Sequence, residues 1–290
     1  MAEIYDLAHE VFGKYARKLE PYSSQLSLDL VKAHMTVSRE KWLSLAILAT
    51  VLAFGISLLI ALPAGILLYG MKAGSVLKPI LIAIVLAAAS GALTFYYPSL
   101  VVSERKKKIE NTIAFATIYM STISRSGFPP QHLFRLLAKF KDYGEISKEA
   151  ALISRDVELF GVDLPTAMTK AIARSPSADW TELLAGLRTA ITIGGDLGAF
   201  LEEKAKGFVA DYKRRLQDFS NLLSILIEVY ITLVIVGAVF FIVTTSIIVA
   251  IGGMSTYTLK IMNFAMIIIG IPLLTGAFIL IIKGVSPMAD

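Results

Sequence analysis

The stretch "TIGGDLGAFLEEKA", Thr192 to Ala205, decides between two kinds of molecule. Gly194, Gly195 and Gly198 stand close together before a helical run, as they would in a loop that cradles phosphates. The same glycines suit the joint between two helices. A phosphate loop of the Walker type needs G-x-x-x-x-G-K-[ST], with a lysine to reach the phosphates, and a dinucleotide fingerprint needs a preceding strand. Neither accompanies this stretch. The residues before it, "TELLAGLRTAIT", have helical spacing, so Gly194 or Gly195 is expected at the left-handed position that closes one helix. Asp196 is expected to cap the next. The segment reads as a joint in an all-α protein, with a tight turn whose shape a partner can recognise.

Downstream, Leu197, Leu201, Ala205, Phe208, Tyr212 and Phe219 keep helical spacing and lead, without a proline, into "NLLSILIEVYITLVIV". That run belongs in a bilayer. The whole chain of 290 residues is 56% apolar, above the roughly 45–50% of soluble domains, and its mean hydropathy is +0.68. A spanning helix wants about 20 mostly apolar residues. Four segments qualify: Trp42 to Gly70, Pro79 to Val102, Leu222 to Ile251 and Ile261 to Ile282. The first and third exceed the minimum, which implies tilt or extension beyond the lipid. A long, mixed polar stretch precedes the first run and no small-residue cleavage site follows it, so a cleaved leader is not expected.

Charge gives the orientation. Lys and Arg number six in residues 1–41 and eighteen in 103–220; Lys72, Lys78 and Lys260 stand in the short connectors, and Lys283 near the end. Cytoplasmic loops retain positive residues, so both termini and the middle segment are expected inside a cell (inner) membrane crossed several times. Trp42, Tyr69, Tyr96 and Tyr97 lie at segment ends, where aromatic belts form. Lys72 and Lys78 run against this frame but sit at helix ends, from which they can snorkel. The net charge of +5 is first a signal of orientation and only secondarily of acidic partners. The absence of cysteine excludes disulfides, thiolate metal sites and a cysteine nucleophile.

Residues 103–220 carry eighteen basic and fifteen acidic side chains and read as helices. Ile146, Ala150, Ile153, Val157 and Phe160 form one amphipathic stripe. Gly127 with Phe128, Pro129 and Pro130 ends one helix and starts another, and Tyr143-Gly144 makes the next break. Gly161 with Asp163 and Pro165, and then Ser175-Pro176, mark two further starts. Helices are therefore expected at about 104–126, 129–141, 145–160, 164–173, 176–193 and 196–220. Short connectors favour antiparallel packing. The fold class is an all-α integral membrane protein: four transmembrane helices with a cytoplasmic six-helix bundle inserted between the second and third. The divisions are 1–41 (N-terminal helical segment), 42–102 (spans 1 and 2), 103–220 (bundle) and 221–290 (spans 3 and 4 with a short C-terminus).

No catalytic constellation emerges. His9, His34 and His132 are far apart and lack ligand spacing, and they read as structural. Glu202 and Glu203 point to different sides of one helix and read as a solvated face. Nucleophile elbows are lacking. The chain is expected not to be an enzyme and to need no cofactor, metal or nucleic acid. Glu228 is the one acid inside an apolar run; an ionisable group there is a functional hypothesis by default. It either reaches the interface or pairs with another helix. Arg105, Lys106, Lys107 and Lys108, and Lys213, Arg214 and Arg215, flank the membrane on the entering and leaving helices, where they either meet anionic headgroups or give a cytoplasmic partner an electrostatic footing. Pro63 and Pro272 are possible kinks within spans.

The runs "SRSGFPPQHLFRLLA" and "YGEISKEAALISRDVELFGVDLPTAMTKAIARSPSADWTELLAGLRTAITIGGDLGAFLEEKA" together resemble the type II secretion F domain, particularly its archaeal branch. The likeness lies in an R-S-G turn, a Y-G-x-[IL]-S-x-E helix start, an acidic/Pro turn, a [RS]-x-P-[ST] cap and a closing G-G-D-L before a long helix. It covers nearly the whole middle segment; "LSLDLVKAHMTVSREKWLSLAIL" is also similar to the entry of such proteins. The resemblance implies a membrane platform of a type IV pilus, archaellum or type II secretion machine, with a six-helix cytoplasmic bundle. It implies engagement of a hexameric secretion ATPase and contact with pilin subunits and membrane lipids; since many members carry two such domains and this chain has one, it implies pairing with itself or a second platform chain, or a place as half of a longer protein. Arg135, Lys139 and Lys141, farther along the bundle, are then the candidates for the ATPase, with Gly194, Gly195 and Asp196 beside them. A polytopic transporter or permease subunit is the alternative, and a membrane-tethered adaptor a further one.

Overall fold

The computed structural model describes residues 2–19, 24–69, 73–253 and 255–285. Gly70 and Lys72, and the side chains of Tyr69 and Lys78, lie outside the described residues. Among the described residues there is no strand. The helices are α1 (Ala2–Leu19), α2 (Ser24–Lys32), α3 (Arg39–Tyr69), α4 (Ala73–Arg125), α5 (Pro130–Leu137), α6 (Glu145–Glu158), α7 (Leu164–Arg174), α8 (Ala178–Ile193), α9 (Leu197–Ala250), α10 (Thr256–Ala265) and α11 (Ile271–Val285). A short 3-10 turn, Lys141–Tyr143, precedes α6, and a π-helical turn, Met266–Gly270, precedes α11.

Four helical stretches of the described residues are long and apolar enough to cross a membrane: Arg39–Ile60, Pro79–Arg125, Leu197–Ala250 and Lys260–Gly284. In their most apolar windows only 0% to 17% of residues are buried by the protein itself, so the remaining apolar surface requires lipid. This is a multi-pass membrane protein.

The chain divides into two compact units, Met1–Glu202 and Glu203–Asp290. In the first, α3 packs against α4. Trp42 donates its indole N–H to the Thr94 carbonyl at 3.1 Å and stacks on Tyr97. A Cβ at Gly91 would lie 2.3 Å from Thr50 Oγ1, so glycine alone permits this close approach, as small residues do between spans. Helix α4 then continues past the expected end of the second span without a break. The helix expected at 104–126 is its distal part, and Pro79 and Pro98 lie inside it.

Helices α5 to α8 pack on that distal part. Ile109, Ile113 and Met120 of α4 are fully buried together with Phe134, Ile153, Met168, Trp180 and Leu184; each such side chain contributes about 1.5–3 kcal/mol of transfer free energy. The helices expected at 129–141, 145–160, 164–173 and 176–193 correspond to α5, α6, α7 and α8. Their ends follow local chemistry. Gly127, Gly161 and Gly194 have φ of 75°, 61° and 82°, the left-handed region that closes helices, and the Asp163 carboxylate accepts the Thr166 N–H at 3.0 Å. One expected start moves by two residues. Ser177, not Ser175, caps α8, accepting the Trp180 N–H at 3.4 Å, because the Ser175 hydroxyl is occupied with the backbone of Ser177. Ser175 itself terminates α7.

The stripe on α6 also ends early. Ile146, Ala150 and Ile153 are fully buried and Val157 is half-buried, but Phe160 is exposed, since the helix stops at Glu158 and the next residues leave its register. The helix expected at 196–220 is the start of α9, which runs to Ala250, and only Leu197–Glu202 belongs to the first unit. That unit holds α4 to α8 and the first turns of α9 together with the N-terminal helices and two spans.

In the second unit α9 and the α10–α11 arm are antiparallel. The Tyr230 hydroxyl meets the Thr275 hydroxyl at 3.0 Å, Tyr230 lies edge-on to Phe278, and Thr245 reaches Asn263 at 3.4 Å. The π turn falls just before Pro272, where the proline lacks the N–H that a regular helix requires; such local adjustments re-satisfy backbone groups freed in lipid. Pro63, by contrast, lies within continuous α3.

Candidate functional site: two ends of one helical assembly

Helix α4 leaves the spans, and the chain returns along α5, leaves again along α6, returns along α7, leaves along α8 and turns at the start of α9. Two sets of connections result, one near the spans and one far from them. The near end collects charge. Arg105 of α4 is buried, with its Nε 2.7 Å from Glu145 Oε2 and its Nη2 3.0 Å from Glu149 Oε1. Arg174 of α7 holds the other Glu149 oxygen at 2.7 Å. His34 closes the group with Nε2 2.9 Å from Glu149 Oε1, and the Lys32 carbonyl accepts from Arg105 Nη1.

This cluster ties the N-terminal segment to the packed helices. His34 has φ 56°, the left-handed position after α2, and it turns the imidazole away from the helix toward Glu149. Lys32 is the last residue of α2, so its carbonyl is one of the free acceptors at a helix C-terminus. Burial alone pushes the Glu149 carboxyl up, but the hydrogen bond from His34 and the Arg174 guanidinium outweigh it and hold Glu149 below the usual carboxylate range. Glu145 is also lowered: against its burial stand hydrogen bonds from Lys148 and Arg105. A buried charge is tolerable when paired and hydrogen-bonded, and this one is surrounded.

The expectation that Arg105 faces lipid headgroups with its three neighbours is therefore corrected. One residue of "RKKK" turns inward because its partners lie on α6 and α7, while Lys106, Lys107 and Lys108 are exposed and Lys108 bridges Glu104 at 2.6 Å. Of the second basic run, Lys213 and Arg214 are exposed and Arg215 is half-buried; Arg214 lies 3.6 Å from Asp211. Glu202 is not simply a solvated acid, since it pairs with Arg125.

The far end is different in kind. Its three connections expose Phe128 (53%), Leu159 (75%), Phe160 (67%) and Ile193 (78%). Gly194 carries the turn after Ile193, donating its N–H to the Ala190 carbonyl at 3.0 Å, and Asp196 accepts the Ala199 N–H at 3.0 Å. Gly198 comes against α4, where a Cβ would lie 3.1 Å from Arg125 Cγ. The rim is charged: Arg125 pairs with Glu202, Arg135 lies 3.8 Å from Glu158, and the Arg155 guanidinium sits 5.6 Å over the Phe160 ring. Thus Gly194, Gly195 and Asp196 belong to this end, with Arg135 on its flank, whereas exposed Lys139 and Lys141 follow α5 on the return toward the spans.

Residues 116–245, which take in this far end, α5 to α8 and much of α9, match the family model described as "Type II secretion system (T2SS), protein F". Over these residues the chain is similar to type II secretion F domains. Such domains mark a family of secretion- and pilus-type membrane platform proteins. The chain is also similar to the uncharacterized proteins MJ1286 and MJ0780 of Methanocaldococcus jannaschii. The first is 25% identical over 135 residues, which is 47% of this chain and 23% of that protein. The second is 32% identical over 83 residues, 29% of this chain and 25% of that protein. The chain thus spans about a quarter of the length of these curated relatives. No solved structure matches it.

Glu228 lies within the matched stretch. It is exposed on α9 beside a shallow groove lined by Val229, Thr232, Leu233, Val236 and Gly237. It stands two positions before Tyr230, about half a turn, so it faces away from the α11 side of its own unit.

Proposed function

We propose that this chain is a non-catalytic platform of a type IV pilus-like, archaellum or type II secretion machine, with both termini and the F domain on the cytoplasmic side of the cell membrane. A hexameric secretion ATPase docks on the far end of the F domain, with Arg135 flanking the contact and Lys139 and Lys141 lower on the same side of α5. Its movements pass along α4 and α9 into the spans, beside which pilin subunits are drawn from the lipid. Glu228 supplies a polar contact for a neighbouring transmembrane helix, of a pilin or of a second platform chain.

The observation that carries this reading is the exposed group Phe128, Leu159, Phe160 and Ile193 at the end of the F domain farthest from the spans. Large apolar side chains gathered on the water-facing tip of a packed domain mark an interaction site. The test is direct binding of the purified ATPase to the full chain in nanodiscs. Replacing Phe128, Leu159 and Ile193 by Ser is expected to weaken binding at least about tenfold, or 1.4 kcal/mol. Undiminished binding would remove the tip from the interface, and no binding by the unsubstituted chain would remove the ATPase as partner.

A further inference from the structure

Helix α1 presents two apolar faces, and the protein covers one of them. Ala8, Gly13 and Ala16 are buried, with Tyr5 and Phe12 half-buried, along the side that packs on α3. Leu7, Val11 and Tyr15 follow one another at i, i+4 and i+8 and are 59%, 59% and 63% exposed. On the helical wheel this second stripe adjoins the packed face and stops at an arc holding Asp6, Glu10, Lys14 and Arg17. The apolar surface therefore continues past the edge of the protein contact.

The level of α1 along the spans identifies what meets that surface. Tyr5 lies 6.2 Å from Trp42, and Trp42 stacks on Tyr97. Trp42 stands at the start of the α3 span, and Tyr97 lies well along α4, where that helix is leaving its apolar run. These are the aromatic side chains that mark a membrane–water boundary. Asp6 is engaged by Lys41 at 2.5 Å, and Arg17 and His9 each lie 3.9 Å from Glu40, so α1 crosses the very beginning of α3. Lys14 is exposed beside the stripe, and Lys18 is exposed at its C-terminal end.

We infer that α1 is an interfacial helix whose Leu7–Val11–Tyr15 stripe is seated in the headgroup–acyl boundary, with Lys14, Arg17 and Lys18 on the phosphates of anionic lipids. The inference rests on reading α3 and α4 as spans. A helix with an apolar face, a charged face and basic residues between them lies in this plane rather than across the bilayer, and basic side chains near the surface favour anionic leaflets. Anchored so, α1 fixes the entry angle of α3, and through α2 and His34 it connects the lipid surface to the ion cluster of the F domain.

The absence of cysteine makes the test clean. Single variants Val11→Cys, Glu10→Cys and Val51→Cys of the full chain carry a nitroxide and are reconstituted in vesicles of zwitterionic lipid with or without anionic phospholipid. Power saturation compares apolar oxygen with a water-soluble nickel chelate. The Val11 label is expected to be reached by oxygen and shielded from nickel, the Glu10 label to be reached by nickel, and the Val51 label, in the span, to behave as lipid-exposed. Shielding at Val11 should deepen with anionic lipid and lose that dependence when Lys14 and Lys18 become Glu. Nickel access at Val11 with Val51 still in lipid would overturn the inference alone; nickel access at both would take the spans with it. Shielding of Val11 from both reagents would mean that a protein covers the stripe, and indifference to anionic lipid would overturn the phosphate contacts.

Discussion

Around Arg105 ionised side chains are enclosed by protein, whereas around Phe128 apolar side chains stand in the open, although both ends belong to the same set of helices, α4 to α8. The near end has internal partners for every charge that it buries: Glu149 receives His34, Arg105 and Arg174. The far end pairs its charges on the rim and leaves its apolar groups uncovered. A closed end of this kind fixes geometry within the chain; an open one leaves contact area for another chain. The difference teaches where to look for a partner and where to look for stability.

The comparison is broken most severely at Glu149. Changing Glu149→Gln takes the carboxylate from Arg174 and one of two from Arg105 at a buried site, and loss of one member of a buried pair costs about 3–5 kcal/mol. Thermal unfolding of the detergent-solubilised chain, followed by the fluorescence of buried Trp180, should show a clear fall in Tm. A negligible change would mean that the near end is not closed in the sense argued.

Acid provides a graded version of the same test. The folded-state values of Glu149 and Glu145 are lowered from 4.5, so folding favours the ionised carboxylates. The stability they contribute is complete above the unfolded value near 4.5 and is lost as pH falls through the lower folded values. The Tm should therefore drop more steeply below that point in the unsubstituted chain than in Glu149→Gln. Parallel curves would contradict the assignment.

Smaller effects sharpen the contrast. Ser177→Ala removes the cap of α8 at the near end and should cost about 1 kcal/mol, measurable in the same melts. The Ser substitutions of Phe128, Leu159 and Ile193 should change stability by no more than about 0.5 kcal/mol each, as at ordinary surface sites, while still weakening the ATPase. A large loss of stability there would show that the tip is part of the core.

Much of the fold was legible because helix ends are set by local chemistry. Gly194 in the left-handed region, Asp196 bonded to Ala199 and Asp163 bonded to Thr166 all follow from a few adjacent residues. Ser175 and Ser177 show the limit: two hydroxyls compete for one cap, and composition does not rank them. The ion cluster was missed for a different reason. Arg105 sits in a basic run that reads as solvated, and its partners lie about forty residues away, so nothing local reveals the pairing. One signal was available, since Glu149 falls between Ile146 and Ile153 on the buried stripe of α6, where a carboxylate needs a partner. His34 gave none, because a left-handed helix end is ordinarily announced by glycine or asparagine. The exposed tip was half visible: the turns were placed correctly, but Phe160 was assigned to the stripe that its helix no longer carries.

Helix α4 has one further consequence. Its 53 residues make a rod about 80 Å long at 1.5 Å per residue, and the hydrocarbon of a bilayer occupies only about 30 Å of it. From the end of the span at Val102 to Arg125 the helix is a lever arm of about 35 Å, so a lean of about 10° at the lipid boundary sweeps Arg125 sideways by about 6 Å, roughly one turn of α-helix. Shifts too small to disturb the seam between Gly91 and Thr50 are thereby magnified at the tip, and a push on the tip is geared down into a small, forceful rotation among the lipids.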